Sequence, residues 1–522
     1  MKKALALILA CVMVFSLGAC KNNEGSAVGN SDFKFKSYPI DTDEKLTYWM
    51  ALPSNAVSVV TNMGETPWGK KFQENVGVEI EFIHPAAGQG SQAFGLMIAS
   101  DTMTDIIEYS WVTEPGGPAK AIADETIIPL NDYMDEAPNL KAALAKNEIY
   151  ERSAKTDEGD YYMFPFIRDD IKLVLSAGPI VRKDWLDELG FEIPTTIEEW
   201  EVVLTAFKEK KGATAPFTVN QPSQLLSFFD ASQGFYVENG TVKYGPTQPF
   251  YKKAIESLND WFKKGLIDPN YMSSDKKQLD SNMLTGKSGL AMASGGSGLG
   301  QWLAAKPEGS FDLAGAIYPL ADGKKTRTFT GGGQHFQAKG AAISTSCKNV
   351  PLAMRVLDYA YSEEGHMLFN FGIEGESYTM VDGEPKYTDV INKNPDGYTP
   401  AQAMALYHRA AGNGPFLQDK GYIEGYYSTP QQAQALDAWM VNLENAQKYL
   451  IPTATFPTIE ESSESATILN EISTYVSEMT VKFITGVEPI SNYDAFLKRL
   501  DQLNIKRAIE LEQAAYDRYL KR

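Results

Sequence analysis

The sequence predicts an α/β protein that becomes mainly helical toward its C-terminal end. Three observations predict it: a strand, helix, strand rhythm that begins near residue 45, helices with readable caps between apolar runs, and a last third in which helical spacing outnumbers strand signals. In order, KLTYWMAL and GVEIEFIHP read as strands and TPWGKKFQEN between them as a helix; SQAFGLMIASDTMTDIIEYSW then reads as helix followed by strand. A βαβ order implies parallel pairing through right-handed crossovers, and such sheets take ligands at the carboxyl ends of their strands. Asp105 and Trp111 are expected near one of those ends.

Farther along, KLVLSAGPIVRKDWLDELG is a strand running into a helix, with Asp184 near the helix start. In TTIEEWEVVLTAFKEKKG, Thr196 caps a helix and Glu199 completes a capping box. PFYKKAIESLNDWFKKGLIDP is amphipathic and stops at Gly265. SGLAMASGGSGLGQWL reads as a buried strand whose glycine-rich turn opens a helix, the glycines letting backbone amides approach something bound. NVPLAMRVLDYAYSEEGHMLFNFG reads as one long helix ending at Gly372, and the stretches from TPAQAMALYHRAAG to LEQAAYDRYLKR are largely helical. The chain shows no internal repeat and no heptad run.

At the N-terminus, Lys2 and Lys3 precede an apolar run from Ala4 to Phe15, the length of a secretory h-region and too short to span a bilayer. Leu17-Gly18-Ala19-Cys20 resembles the lipobox of bacterial lipoproteins, in which the signal is cut just before a lipid-modified cysteine. Residues 1–19 are therefore expected to be a lipoprotein signal peptide, Cys20 the lipidated residue, and 20–43, rich in Asn, Gly and Ser, a flexible tether. Two or more acyl chains give stable anchoring where one does not. The expected location is the extracellular face of the cell membrane.

Of the chain's three cysteines only Cys20 and Cys347 would remain after cleavage, and an acylated Cys20 leaves no intramolecular disulfide, so stability must come from the core. A hydrophobic content of 43% over 522 residues is enough to build one, in two or three domains. The formal charge of −19 becomes −21 without Lys2 and Lys3, which repels nucleic acid.

An enzyme would have to show its working parts in the sequence. His84, His335, His366 and His408 are the only histidines and none has zinc-ligand spacing, so no metal or other cofactor is expected. SNMLTGKSG has Ser281 where the first glycine of a phosphate-binding loop belongs, and it reads as a turn; neither SGGSGLG nor TGGGQHF is a nucleophile elbow or dinucleotide fingerprint. Among 67 acids, carboxylate pairs such as Glu108 with Glu114 cannot be judged without their spacing. What recurs is aromatic residues beside turns: Trp49, Trp111, Trp302, Phe336 and Tyr378. Aromatic faces stack on the apolar faces of sugar rings, although aromatic side chains also fill ordinary cores.

The order of ASDTMTDIIE, IIPLNDYMDEAPNL, LTGKSGLAMASGGSGLGQW and VLDYAYSEEGHMLFNFGIEGESYTMVDGEPKYTD resembles the extracellular solute-binding proteins of family 1, and more narrowly the long Gram-positive lipoproteins that serve oligosaccharide ABC importers. Thr104 stands where that family usually has proline. The resemblance implies a type II, two-lobe periplasmic-binding-protein-like fold with extra C-terminal helices. Hinge crossings are implied near Phe166–Lys172, Thr330–Phe336 and Gly372–Tyr378. Lobe 1 would comprise 44–167 and 334–374, lobe 2 168–333 and 375–522. It further implies a monomer that binds an oligosaccharide or similar polar solute and hands it to permease subunits, without catalysis. Trp111 and Trp302 would stack on sugar rings, with Trp49 and Tyr378 as further aromatic candidates. Asn55, Asp105, Arg168, Gln334, His335 and Glu374 are the candidate hydrogen-bond partners, His335 more often a structural hinge residue. The competing reading is a membrane-tethered glycosidase or polysaccharide lyase; an accessory lipoprotein without a small ligand is a third.

Overall fold

The computed structural model describes residues 35–175, 177–306, 310–320 and 333–522. The signal peptide, Cys20 and most of the tether lie outside them, as do residues 330–332 of one expected crossing. In chain order the strands are β1 (Lys45–Met50), β2 (Glu79–Ile83), β3 (Ile106–Tyr109), β4 (Phe164–Arg168), β5 (Ala177–Arg182), β6 (Phe217–Thr218), β7 (Phe235–Glu238), β8 (Thr241–Tyr244), β9 (Leu290–Ser294), β10 (Leu313–Gly315), β11 (Phe336–Ile343), β12 (Tyr378–Val381), β13 (Glu384–Tyr387) and β14 (Leu417–Gln418). A first sheet has the order β14-β4-β11-β3-β1-β2 and a second β10-β5-β9-β6; β7–β8 and β12–β13 are hairpins.

The expected βαβ unit is present. β1 pairs in parallel with both β2 and β3, and β14 pairs in parallel with β4, while β11 runs antiparallel between β3 and β4. The carboxyl ends of β1, β3 and β4 therefore share one edge. The helix between β1 and β2, Pro67–Val76, starts where the Thr66 hydroxyl accepts from the Gly69 amide, and it stops at Gly77, whose φ of 75° suits glycine. A Cβ at Gly77 would fall 2.4 Å from the Ile40 carbonyl oxygen. The Thr196/Glu199 capping box is formed at the head of helix Ile197–Lys211.

Each main sheet has its own core. Trp68, Phe72, Ile106, Phe166, Ala342 and Leu357 are among the side chains buried around the first, and Trp200, Phe217, Leu258, Trp261 and Leu290 around the second. The chain leaves the first sheet after Arg168, returns at Phe336, and so divides into two lobes.

Two expectations are corrected here. The single helix ending at Gly372 is two, Val350–Asp358 and Glu363–Asn370, separated by a 3₁₀ turn. Ser362 is extended (ψ 165°) and its side chain accepts from the Gly365 amide, so it caps a new helix instead of continuing the old one. Residues 375–522 also do not all go with the second sheet. After Gly372 the chain enters the β12–β13 hairpin and comes back to the first sheet as β14. It reaches the second sheet again at helix Pro430–Met440, where Trp439 Nε1 donates to the Pro179 carbonyl of β5 at 3.0 Å. Helix Ile459–Thr485 then buries Ile472, Val476 and Phe483 in the second core, whereas Phe456 and Tyr519 lie in the first.

The last helix, Ile505–Tyr519, thus starts against one lobe and finishes on the other. Ile505 and Ala508 belong to the second core; at the far end the Tyr519 hydroxyl bonds Ser153 Oγ at 3.0 Å. Arg518 and Arg522 grip the two oxygens of Asp157 at 2.8 and 2.7 Å, and Arg522 also donates to the carbonyls of Lys155 and Ala454.

Candidate functional site

At the shared carboxyl edge of β1, β3 and β4 the first lobe opens into a cavity of about 940 Å³, whose lining includes Trp49, Asn55, Ser91, Tyr109, Glu114 and Arg168. A smaller cavity of about 270 Å³ shares Ser54, Asn55, Arg168, Ala411 and Gly412 with it, and its other wall is Ser294, Gly296 and Ser297 from the end of β9 together with Tyr422, Tyr426 and Tyr427. The two form one groove that runs from the first sheet to the second. This is where a parallel sheet presents its unpaired strand ends to a ligand.

The floor of the groove is fixed by a buried ion pair. Arg409, 2% exposed, places Nη2 at 2.9 and 3.1 Å from the two carboxylate oxygens of Glu108 at the end of β3, and the Tyr48 hydroxyl donates to the same carboxylate at 3.0 Å. Arg409 also donates to the Asn413 carbonyl and lies over the Trp68 ring, 5.2 Å from its centroid. The loop 410–413 that lines both cavities is anchored in this way to the first core.

Three predicted residues line the groove. Arg168 ends β4 and lines both cavities; its amide donates to the His335 carbonyl at 2.8 Å and its own carbonyl meets His335 Nδ1 at 2.5 Å. Asn55 lines both as well, with its amide donating to the Ala401 carbonyl at 2.9 Å. Trp49 contributes to the lining of the large cavity but is only 4% exposed, packed against the stacked rings of Phe94 and Tyr109.

The other expectations are placed elsewhere. Trp111 is fully buried against Phe94 and Tyr109, and Trp302 is fully buried with Nε1 donating to Asp280 at 2.8 Å, so neither offers a ring face to a sugar. Asp105 precedes β3 at its amino end, away from the groove, and accepts from the Thr47 amide and hydroxyl at 2.8 and 2.6 Å. Gln334 is clipped to the backbone of Ile451 and Thr453, a hinge contact. His335 joins β4 to β11, also as a structural residue. Glu374 and Tyr378 line a separate cavity with Lys71 and Asn75.

The aromatic face that the groove does contain comes from helix Lys420–Tyr426 and the residue after it. Tyr422 stacks on Tyr426 (centroids 5.9 Å apart, planes 26°), and Tyr427 follows at 5.7 Å from Tyr426. Burial pushes the Tyr426 hydroxyl above its ordinary range. The signal was readable: in DKGYIEGYYS these rings sit beside glycines, as the chosen tryptophans do. The glycine-rich turn after β9 serves the same rings. A Cβ at Gly295 would lie 2.5 Å from Tyr427 and one at Gly296 2.5 Å from Tyr426, so the glycines admit tyrosine rings where backbone access to a ligand was expected. Among the described residues no group of three His, Cys, Asp or Glu side chains could hold a metal ion, and no helix is long and apolar enough to cross a membrane.

Comparison with known proteins places this geometry. Residues 64–367 match the family described as bacterial extracellular solute-binding protein. Lipoprotein LipO of Bacillus subtilis is 24% identical over 403 residues, covering 73% of this chain and 74% of that one. The fructooligosaccharide ABC transporter substrate-binding protein FusA of Streptococcus pneumoniae is 22% identical over 551 aligned positions, covering 99% and 98%. An HMO-binding, ABC-transporter-associated solute-binding protein of Bifidobacterium longum infantis superposes with a TM-score of 0.75 at 19% identity, over 92% of this chain and 99% of that one.

Proposed function

The chain belongs to the bacterial extracellular solute-binding proteins, and from that premise we propose that it is the receptor of an oligosaccharide ABC importer, tethered outside the cell through a lipidated Cys20. The single observation that carries the ligand class is the groove itself. A stacked pair of tyrosines, the hydroxyls of Ser54, Ser91, Ser294 and Ser297 and the amide of Asn55 line a continuous path between two lobes. Ring faces take the apolar side of a sugar while short polar groups pair its hydroxyls. The matched relatives named for fructooligosaccharide transport and HMO binding support the same class.

Ligand held between the lobes stabilises the closed form by its differential affinity for that form, and the closed shape is what a permease subunit would recognise. The protein works as a monomer, and no bond in the sugar is broken. The glycosidase or lyase reading needs two working carboxylates in the groove, whereas Glu108 is held in the ion pair with Arg409.

A thermal-shift screen against cell-wall and storage oligosaccharides, with the sugar afterwards recovered for mass spectrometry, tests this. Intact sugar and a raised Tm are expected, since a native-state ligand at a hundredfold excess over Kd stabilises by about 2.7 kcal/mol. A shortened or unsaturated product would move the assignment to an enzyme. Tyr426→Ala should weaken binding of the hit by about tenfold or more while Trp302→Phe leaves it within about twofold.

A further inference from the structure

Arg168, which lines both cavities at the hinge end of the groove, is a cation with no ion-pair partner among the described residues. Its Nε is shut off from solvent and has no hydrogen-bond partner among the described residues, and its guanidinium lies over the Phe166 ring, 5.7 Å from the centroid, with Gly333 and Tyr422 as neutral neighbours. Every nearby acid is engaged elsewhere. Asp169 accepts from Tyr150 at 3.0 Å and Lys146 at 3.3 Å, Asp170 caps the Lys172 amide at 2.8 Å, and Glu108 belongs to Arg409. Glu114 lies against Tyr109. Lys339, exposed at the same cavity, makes no ion pair among the described residues either. Two unpaired cations thus line one groove of a protein whose net charge is −19.

Leaving a charged group desolvated and unpaired is costly, and chains keep such groups where a ligand completes them. Burial pulls the Arg168 guanidinium below its ordinary value, and no carboxylate offsets it. The planar fork of arginine matches a carboxylate in two parallel hydrogen bonds. We infer that the groove takes a saccharide carrying a carboxylate, a uronic acid unit, with that carboxylate against Arg168 and with Lys339 as the second positive charge at the large cavity. The inference rests on the oligosaccharide reading and narrows it. Arg168 stands at the end of β4, where the chain crosses between lobes, so a ligand carboxylate there is held at the hinge end of the groove.

The test is calorimetric titration of the full chain with trisaccharides of galacturonic, mannuronic or glucuronic acid, each beside its carboxyl-reduced neutral form. The acidic form of the recognised sugar should bind at least about tenfold more tightly than its reduced form. Arg168→Gln should lower the ratio of acidic to neutral affinity, both measured on the same variant, by about 10- to 100-fold, and its Tm should not fall, because an unpaired, partly buried charge is removed. Arg168→Lys should keep part of the preference. Neutral forms that bind as tightly as acidic ones, or a preference that survives Arg168→Gln, would overturn the inference and leave the oligosaccharide receptor standing. A sulfated trisaccharide bound in place of every uronate would overturn the carboxylate. Binding of no saccharide at all would overturn both readings.

Discussion

His408 lies flat on Tyr387, centroids 5.4 Å apart and planes 9° from parallel, with Tyr422 edge-on at 6.2 Å. Its Nδ1 accepts from the Ala410 amide at 3.2 Å, and burial pushes its pKa down to about 3 from an ordinary 6.5. The unfolded chain therefore binds a proton below pH 6.5 that the folded chain refuses until about pH 3. Stability from this group is complete above pH 6.5 and falls by about 1.4 kcal/mol per pH unit below it. The melting temperature should drop more steeply between pH 6.5 and 5 in the wild type than in His408→Asn. One position on, Arg409→Met leaves the buried Glu108 carboxylate without a counter-charge, held only by the Tyr48 hydroxyl, at a cost of about 3–5 kcal/mol in denaturant unfolding. Arg409→Met with Glu108→Gln should recover part of that, since the lone charge is gone. Both residues act on the loop that lines the groove, so a loss of ligand affinity should accompany the loss of stability.

At the scale of elements, the turn after β9 is the sharpest constraint. Gly296→Ala drives a methyl into the Tyr426 ring, which should cost about 1–3 kcal/mol and weaken ligand binding by shifting the stacked face; Gly234→Ala, whose Cβ would meet nothing nearer than Ser232 Oγ at 3.9 Å, serves as the control. Elements were legible where local chemistry decides them. Thr196 with Glu199, Thr66 before Pro67, and the alternating KLTYWM all announce what they become. The break at Ser362 was also local, a serine cap inside an apolar periodicity, but continued helical spacing on both sides hid it. The tryptophans were misplaced for another reason. Trp111 and Trp302 sit beside turns as a sugar platform does, and only the neighbours that arrive from distant sequence, Phe94 for one and Asp280 for the other, show that the rings are covered. Tyr422 and Tyr426 carry the same local signal and, although packed on each other and beside His408 and Gly296, remain only partly buried and line the groove.

At the scale of the whole molecule, the two lobes are joined by covalent crossings and by the grip of Arg518 and Arg522 on Asp157. That carboxylate is 16% exposed, so its removal is more than a surface loss. Asp157→Ala should cost about 2–3 kcal/mol and broaden the distribution of lobe angles, seen as a larger radius of gyration in small-angle scattering. Added ligand should restore the compact value. Two lobes were legible only through the family resemblance, and the return of β14 to the first sheet was not legible at all, because a two-residue strand has no period to read.

That return carries a consequence for the order in which the protein can fold. A chain secreted from its N-terminal end delivers β1 to β4 early, yet the sheet they start is edged by residues 417–418, and the core beneath it waits for Tyr519. The first lobe to emerge is thus the last to be finished. Until about five hundred residues are outside, its open strand and unfilled apolar face are exposed to pairing with other chains. Export chaperones, and not the ligand, are what this architecture needs first.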